Sequence, residues 1–145
     1  MTTVRTRAPG WLRVAAWLLV VWGLTGCYAC LQQFRLGAEA MGPASDYDRA
    51  YFSALPVWFN PVYAVATGAG LLGAAALVAR SRLALPLFAV SLAAVVVQFG
   101  YVFLATDLVA VKGAAATVPF PVFIAVVAAG ATWLSRRAIA RGWIA

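Results

Sequence analysis

The sequence predicts an all-α membrane protein with four transmembrane helices, both termini in the cytoplasm, and a short amphipathic periplasmic helix between helices 1 and 2. Three observations carry this reading. First, the 145 residues are 65% hydrophobic and only 10% charged, with a mean hydropathy of +0.91, whereas soluble domains carry about 25% charged residues. A water-soluble core of this length cannot hide so much apolar surface, so lipid must be the solvent. Second, the apolar residues form four stretches long enough to span a bilayer. Third, the charges alternate between the segments that separate those stretches. Arg5, Arg7 and Arg13 precede the first or lie at its start, Arg80 and Arg82 follow the second, and Arg136, Arg137 and Arg141 follow the fourth. The intervening segments hold Arg35, Arg49 and Lys112 with all four acids, Glu39, Asp46, Asp48 and Asp107. The side richer in arginine faces the cytoplasm, which makes this a multi-pass protein of the bacterial inner membrane with one domain.

The first span covers about 11–31. Pro9-Gly10 marks its start, and Trp11 suits the inner headgroup belt. The segment from Gly37 to Leu55 is the only sizeable piece outside the spans. In it Ser45 is a candidate N-cap, Asp46 and Asp48 favour a helix N-terminus, and Tyr47, Tyr51, Phe52 and Leu55 recur on one helical face. That pattern predicts a helix lying on the outer membrane surface, with an ordered linker as the plainer reading. The second span, about 56–79, opens at Pro56, whose missing N–H suits a first helical position. Trp58, Phe59 and Tyr63 form its aromatic belt, and Arg80 ends it at the negative end of the helix dipole. The third, about 83–105, is joined to the second by Arg80-Ser81-Arg82, a link short enough to impose an antiparallel hairpin. Pro86 lies in its first turn. The fourth, about 114–134, contains Pro119 and Pro121. Either the helix starts near Pro119 and is short, or it is kinked. Trp133 and Trp143 mark the inner interface, with Ser135 to Ile144 continuing along it.

Helices in lipid associate through small residues and interhelical hydrogen bonds. Gly23-xxx-Cys27, Gly26-xxx-Cys30 and Ala66-xxx-Gly70-xxx-Ala74 supply the first. Ser91, Gln98 and Tyr101 share a stripe of the third helix, where Gln98 serves either as an interhelical hydrogen-bonding group or as a ligand contact.

Several chemistries are excluded by what the chain lacks. There is no His and no carboxylate inside a span, so the groups that ion-coupled pumps use are missing. Two Cys without His make no zinc site, no catalytic set or metal ligand set emerges, and no cofactor is called for. The net charge of +7 flanks apolar spans, where it sets orientation and meets anionic lipid, so no nucleic-acid partner is implied. Cys27-Tyr28-Ala29-Cys30 has the C-x-x-C form of envelope thiol oxidases linked to quinones. Its place at the negative end of a helix disfavours a thiolate, and no second cysteine pair exists to pass electrons on, so packing is the favoured role. Leu24-Thr25-Gly26-Cys27 matches a lipoprotein cleavage box after a signal-like segment, but the apolar run from Trp11 is long enough to span uncleaved. In the outer half Gln32, Gln33, Arg35, Asn60, Tyr63, Gln98, Tyr101 and Asp107 gather. Interfacial anchoring explains such a set. The alternative is an outward-facing groove, whose ligand residues are Asn60, Tyr63, Gln98, Tyr101 and Asp107.

Short pieces along the chain carry a further signal: Gly26-Cys27, Tyr51, Pro56-Val57-Trp58, Gly70-Leu71-Leu72-Gly73, Arg80 with Leu85-Pro86-Leu87-Phe88-Ala89-Val90-Ser91-Leu92, and Arg136-Arg137 with Ala140-Arg141-Gly142-Trp143. Together they resemble a family of small bacterial four-helix inner-membrane proteins of unknown function, some bearing the label sugar transporter. The resemblance implies the same four-helix fold with both termini inside, and transfers no catalytic residue. The functional expectation is a binding or accessory protein that holds a lipid, a quinone or a partner helix in the groove and assembles with copies of itself or another membrane subunit. The alternatives are an oligomeric facilitator of a small neutral solute such as a sugar and a thiol–disulfide protein using Cys27 and Cys30.

Overall fold

The computed structural model describes residues 7–40 and 42–144; Arg5, counted above, lies outside them. Among the described residues every regular element is helical. Helix α1, Gly10–Leu36, begins after Pro9 and runs 27 residues, about 40 Å at 1.5 Å per residue and longer than the bilayer core. Gly37, at φ 58, ends it, and a 3-10 turn, Gly37–Glu39, follows. Helix α2, Asp46–Ala54, starts with a full capping box. The Asp48 N–H donates to Ser45 Oγ at 3.2 Å and the Ser45 N–H to Asp48 Oδ2 at 3.0 Å, which satisfies two N–H groups that the helix start would otherwise leave unpaired.

Helix α3, Phe59–Val78, opens three residues later than Pro56. Pro56 instead supplies the carbonyl of a turn closed by the Phe59 N–H at 3.1 Å, and the proline within the first helical turn is Pro61. Helix α4 is Ala84–Ala105, with Pro86 in its first turn as expected. Two short helices, α5 (Leu108–Lys112) and α6 (Ala114–Thr117), lead to α7, Pro119–Ala140. The prolines therefore start α7 rather than kink it. The helix is not short, because it continues six residues past 134. Nor do the last residues run on along an interface. At Gly142, φ 72, the chain reverses, with the Trp143 N–H bonded to the Ala138 carbonyl at 2.9 Å and the Gly142 N–H to the Ile139 carbonyl at 3.1 Å. This is a Schellman cap, and it drives Ile144 back into the core at 2% exposure.

Four helices, α1 with its 3-10 extension, α3, α4 and α7 with α6, are long and apolar enough to cross a membrane. Trp17, Leu18, Val21, Leu72, Val96 and Val126 are each more than half exposed. A surface this apolar is stable in lipid and not in water, so the chain is a multi-pass membrane protein. Helix α1 packs on α3, α3 on α4, and α4 on α7. Glycine sets the closest approach: a Cβ on Gly23 of α1 would lie 2.9 Å from the Leu71 Cα of α3, and one on Gly73 would lie 3.0 Å from the Phe88 ring of α4. Ala66 and Ala74 are buried and Gly26 meets Thr67, so the small-residue faces are helix contacts. One core cluster, around Leu12, Leu77, Phe88, Leu134 and Ile144, fills the end of the bundle near the termini. A smaller one, Ala66, Ala94 and Val95, lies toward the other end.

The termini end is tied by two helix caps joined to each other. Arg80 occupies the left-handed position after α3, φ 59, with the Ser81 N–H on the Ala76 carbonyl at 2.8 Å. A non-glycine residue there costs about 1–2 kcal/mol. Its guanidinium compensates by donating to the Trp143 carbonyl from Nε at 3.0 Å and Nη2 at 2.8 Å. Arg80→Ala, which keeps the backbone cost and loses this charged bond, is expected to destabilise by about 2 kcal/mol. Arg80→Gly is expected to lose about 1 kcal/mol less, because it relieves the backbone. Unfolding midpoints in mixed micelles read the order.

Candidate functional site

At the end of the bundle opposite the termini, α2 is held by a set of polar contacts. Tyr47 donates its hydroxyl to Asp107 Oδ1 at 2.8 Å. Lys112 Nζ meets Asp48 Oδ1 at 2.6 Å, and Arg49 reaches Glu39 at 3.2 Å and Asp46 at 3.6 Å. All four acids thus stand at this end with named partners. The expected helix is present, and it is fastened to the α4–α5 corner through Tyr47 and Asp48. Between α2 and the end of α4 lies a crevice of about 440 Å³ bordered by Tyr47, Tyr51, Leu55, Tyr101, Thr106 and Asp107.

These contacts carry a pH dependence. The Lys112 ammonium, then the Ser45 amide and hydroxyl, hold Asp48 down at about 2 against its ordinary 3.8. A lowered carboxylate stabilises the docked form fully above about 3.8, and this is lost as pH falls toward 2. Partial desolvation, then the hydrogen bond to the Asp107 carboxylate, push Tyr47 up to about 12 from 10.0. A raised phenol stabilises the docked form below 10, and this is lost as pH rises through 12. A spin label at Ser53 is expected to stay immobile between about pH 4 and pH 10 and to gain mobility outside that window. Equal mobility at pH 7 and pH 2 would rule the clamp out.

Deeper in the bundle, reaching down to the core cluster near the termini at Phe88 and Ala131, all four long helices surround a cavity of about 150 Å³. Its walls are almost wholly apolar: Trp22 from α1, Phe88 and Phe99 from α4, and Phe120, Ile124 and Ala128 from α7. The polar groups on the lining are few. Thr25 and Thr67 return their hydroxyl protons to the carbonyls of Val21 and Tyr63 at 2.9 and 3.1 Å, and Ser91 donates across to the Ala66 carbonyl of α3 at 2.6 Å. The interhelical hydrogen bond expected of Gln98 is therefore made one stripe position earlier, by Ser91. Gln98 itself is 5% exposed and lines the cavity; among the described residues no hydrogen-bond partner meets its amide, and since no buried side-chain nitrogen or oxygen there lacks a partner, the amide atoms keep open space beside them. Tyr63 lines the cavity beside it.

The expected groove is thus two hollows with no lining residue in common. Tyr63 and Gln98 belong to the intramembrane cavity, and Tyr101 and Asp107 to the crevice under α2. Asn60 belongs to neither: it accepts from Gln33 Nε2 at 2.7 Å and ties α3 to α1. Cys27 and Cys30 are free thiols. Cys30 is buried and Cys27 half-buried. Among the described residues no group of His, Cys, Asp or Glu is placed to hold a metal.

The wall residues on α1 and α7 were not anticipated. One signal was present: Trp22 sits mid-span, whereas membrane tryptophans concentrate at the interfaces. It meets Phe123 edge to face, centroids 5.4 Å apart. No protein-family model, curated protein or solved structure matches the chain.

Proposed function

We propose that this chain is a binding or accessory protein of the bacterial inner membrane, both termini cytoplasmic, whose intramembrane cavity holds a small apolar molecule. The observation that carries the reading is Gln98. Gln98 lines an otherwise apolar hollow, makes no protein hydrogen bond and keeps its amide atoms accessible, so its hydrogen-bonding groups are open to a ligand. A volume of about 150 Å³ matches one benzene-sized group. A sugar would bury several hydroxyls against walls that have few partners for them, so the lining favours binding of an apolar group over a sugar facilitator.

Two experiments test this. Wild-type protein purified in mild detergent is expected to release a small apolar molecule on solvent extraction, and Ala128→Phe, which fills the cavity from α7, to release none. A wild type that carries nothing, and that is stabilised by Ala128→Phe, would make the hollow a packing defect. The orientation rests on the arginine-rich termini end. With Cys27 and Cys30 replaced by alanine, an impermeant maleimide is expected to label Ser45→Cys from the periplasm and Ser81→Cys only after the membrane is opened. The reverse pattern would invert the topology.

A further inference from the structure

The cavity has a mouth as well as walls. Thr25 on α1 and Phe120 on α7 both line it and are both exposed. Among the described residues they flank a seam where neighbouring long helices are not packed along their length: α1 packs on α3 and α7 on α4, while α1 and α7 meet edge to face at Trp22–Phe123 and, near the termini, α1 meets the chain end at Trp11–Trp143. That seam opens to the hydrocarbon of the bilayer. A ligand entering there comes from the lipid, and any part too large for the cavity stays in the lipid.

The walls restrict the part that enters. No Arg, Lys, Asp or Glu lines the cavity, so a carboxylate, phosphate or ammonium head would be buried without a counter-charge, which is prohibitive. The head is therefore neutral. The hydroxyl protons of Thr25, Thr67 and Ser91 are already used on backbone carbonyls, so the donors left for a ligand are those of the lining residues Gln98, Tyr63 and Trp22. One or two oxygen atoms satisfy them. Aromatic side chains enter from α1, α4 and α7, and their faces and edges suit a flat ring. Resting on the reading that the cavity is a binding site, we propose that it takes a neutral six-membered ring bearing a hydrogen-bonding oxygen, a quinone or phenol head, carried on an apolar tail that leaves between α1 and α7.

The test uses the full chain in lipid nanodiscs and the fluorescence of Trp22. An alkylated benzoquinone, which quenches indole emission on contact, is expected to quench saturably, and Trp22→Phe to remove most of that quenching. Gln98→Leu is expected to weaken binding about tenfold, one charge-free hydrogen bond at the upper end of its range. Gln98→Met, nearer in shape, is expected to behave alike, which separates the lost amide from a packing change. An alkylated phenol is expected to compete, and a fatty acid or alkane of equal tail length not to. Competition by the alkane as strong as by the ring, or unchanged binding in both Gln98 variants, would overturn the ring-head proposal and leave the cavity as an apolar binding site. Absence of saturable quenching by the quinone, together with no rise in the unfolding midpoint on adding the alkane, in a chain of native helix content would overturn both readings.

Discussion

Gly23→Ala is expected to destabilise the bundle by about 1–3 kcal/mol, the usual cost of overpacking, while Gly68→Ala is expected to stabilise it by up to about 1 kcal/mol, the helix-propensity difference. The two substitutions add the same methyl group, and the surroundings decide the sign. On Gly23 the new carbon would meet the Leu71 Cα at 2.9 Å and its backbone nitrogen at 3.2 Å, and backbone cannot rotate away; on Gly68 it would meet nothing within 4 Å. To admit it at Gly23, α1 must move off α3, and the Gly26–Thr67 contact and the Gln33–Asn60 hydrogen bond lie on that same seam. In lipid no hydrophobic term drives the helices back together, so close backbone packing is the chief source of their association. Gly23→Val, with a branched carbon at the same place, is expected to cost more than the alanine. Reversible unfolding in mixed micelles gives all three values. A Gly23→Ala protein as stable as wild type would show that the α1–α3 contact does not hold the bundle.

What the chain made legible was whatever lipid makes obligatory. The spans were readable because backbone in hydrocarbon must be helical and side chains there must be apolar. The N-cap at Ser45 was readable because a helix start outside the membrane needs local acceptors, whereas the reciprocal bond from the Ser45 N–H to Asp48 was not. The end of α7 was not, because Gly142 and Ile144 signal a reversal only once Ala138 and the Arg80 guanidinium are known to be near. The site was half legible for a related reason. Polar residues stand out in an apolar sequence, so Gln98 and Tyr63 were found, but polarity does not say which hollow a residue faces. Asp107 went to Tyr47 and Asn60 to Gln33, since an exposed helix end offers such partners. Trp22, Phe120 and Ala128 look like lipid-facing side chains until the seam between α1 and α7 is seen.

The site yields a second contrast of sign, between two polar residues on one stripe of α4. Ser91→Ala is expected to destabilise by about 1 kcal/mol, the worth of an interhelical hydrogen bond in a membrane, because it leaves the Ala66 carbonyl without the bond it receives at 2.6 Å. Gln98→Leu is expected to stabilise the ligand-free protein, by up to about 1 kcal/mol, because it replaces an amide that makes no protein hydrogen bond and leaves no other group unpaired. A residue retained at such a cost to the empty fold is explained by what the filled fold gains. The same substitution is therefore expected to raise the unfolding free energy and lower ligand retention together, a combination that a purely structural glutamine does not produce. The measurement is unfolding of delipidated wild type, Ser91→Ala and Gln98→Leu in one detergent, followed by the same series with ligand restored. If Gln98→Leu destabilises the ligand-free chain as Ser91→Ala does, the amide is bonded within the fold, and the cavity loses the group that marks it as a binding site.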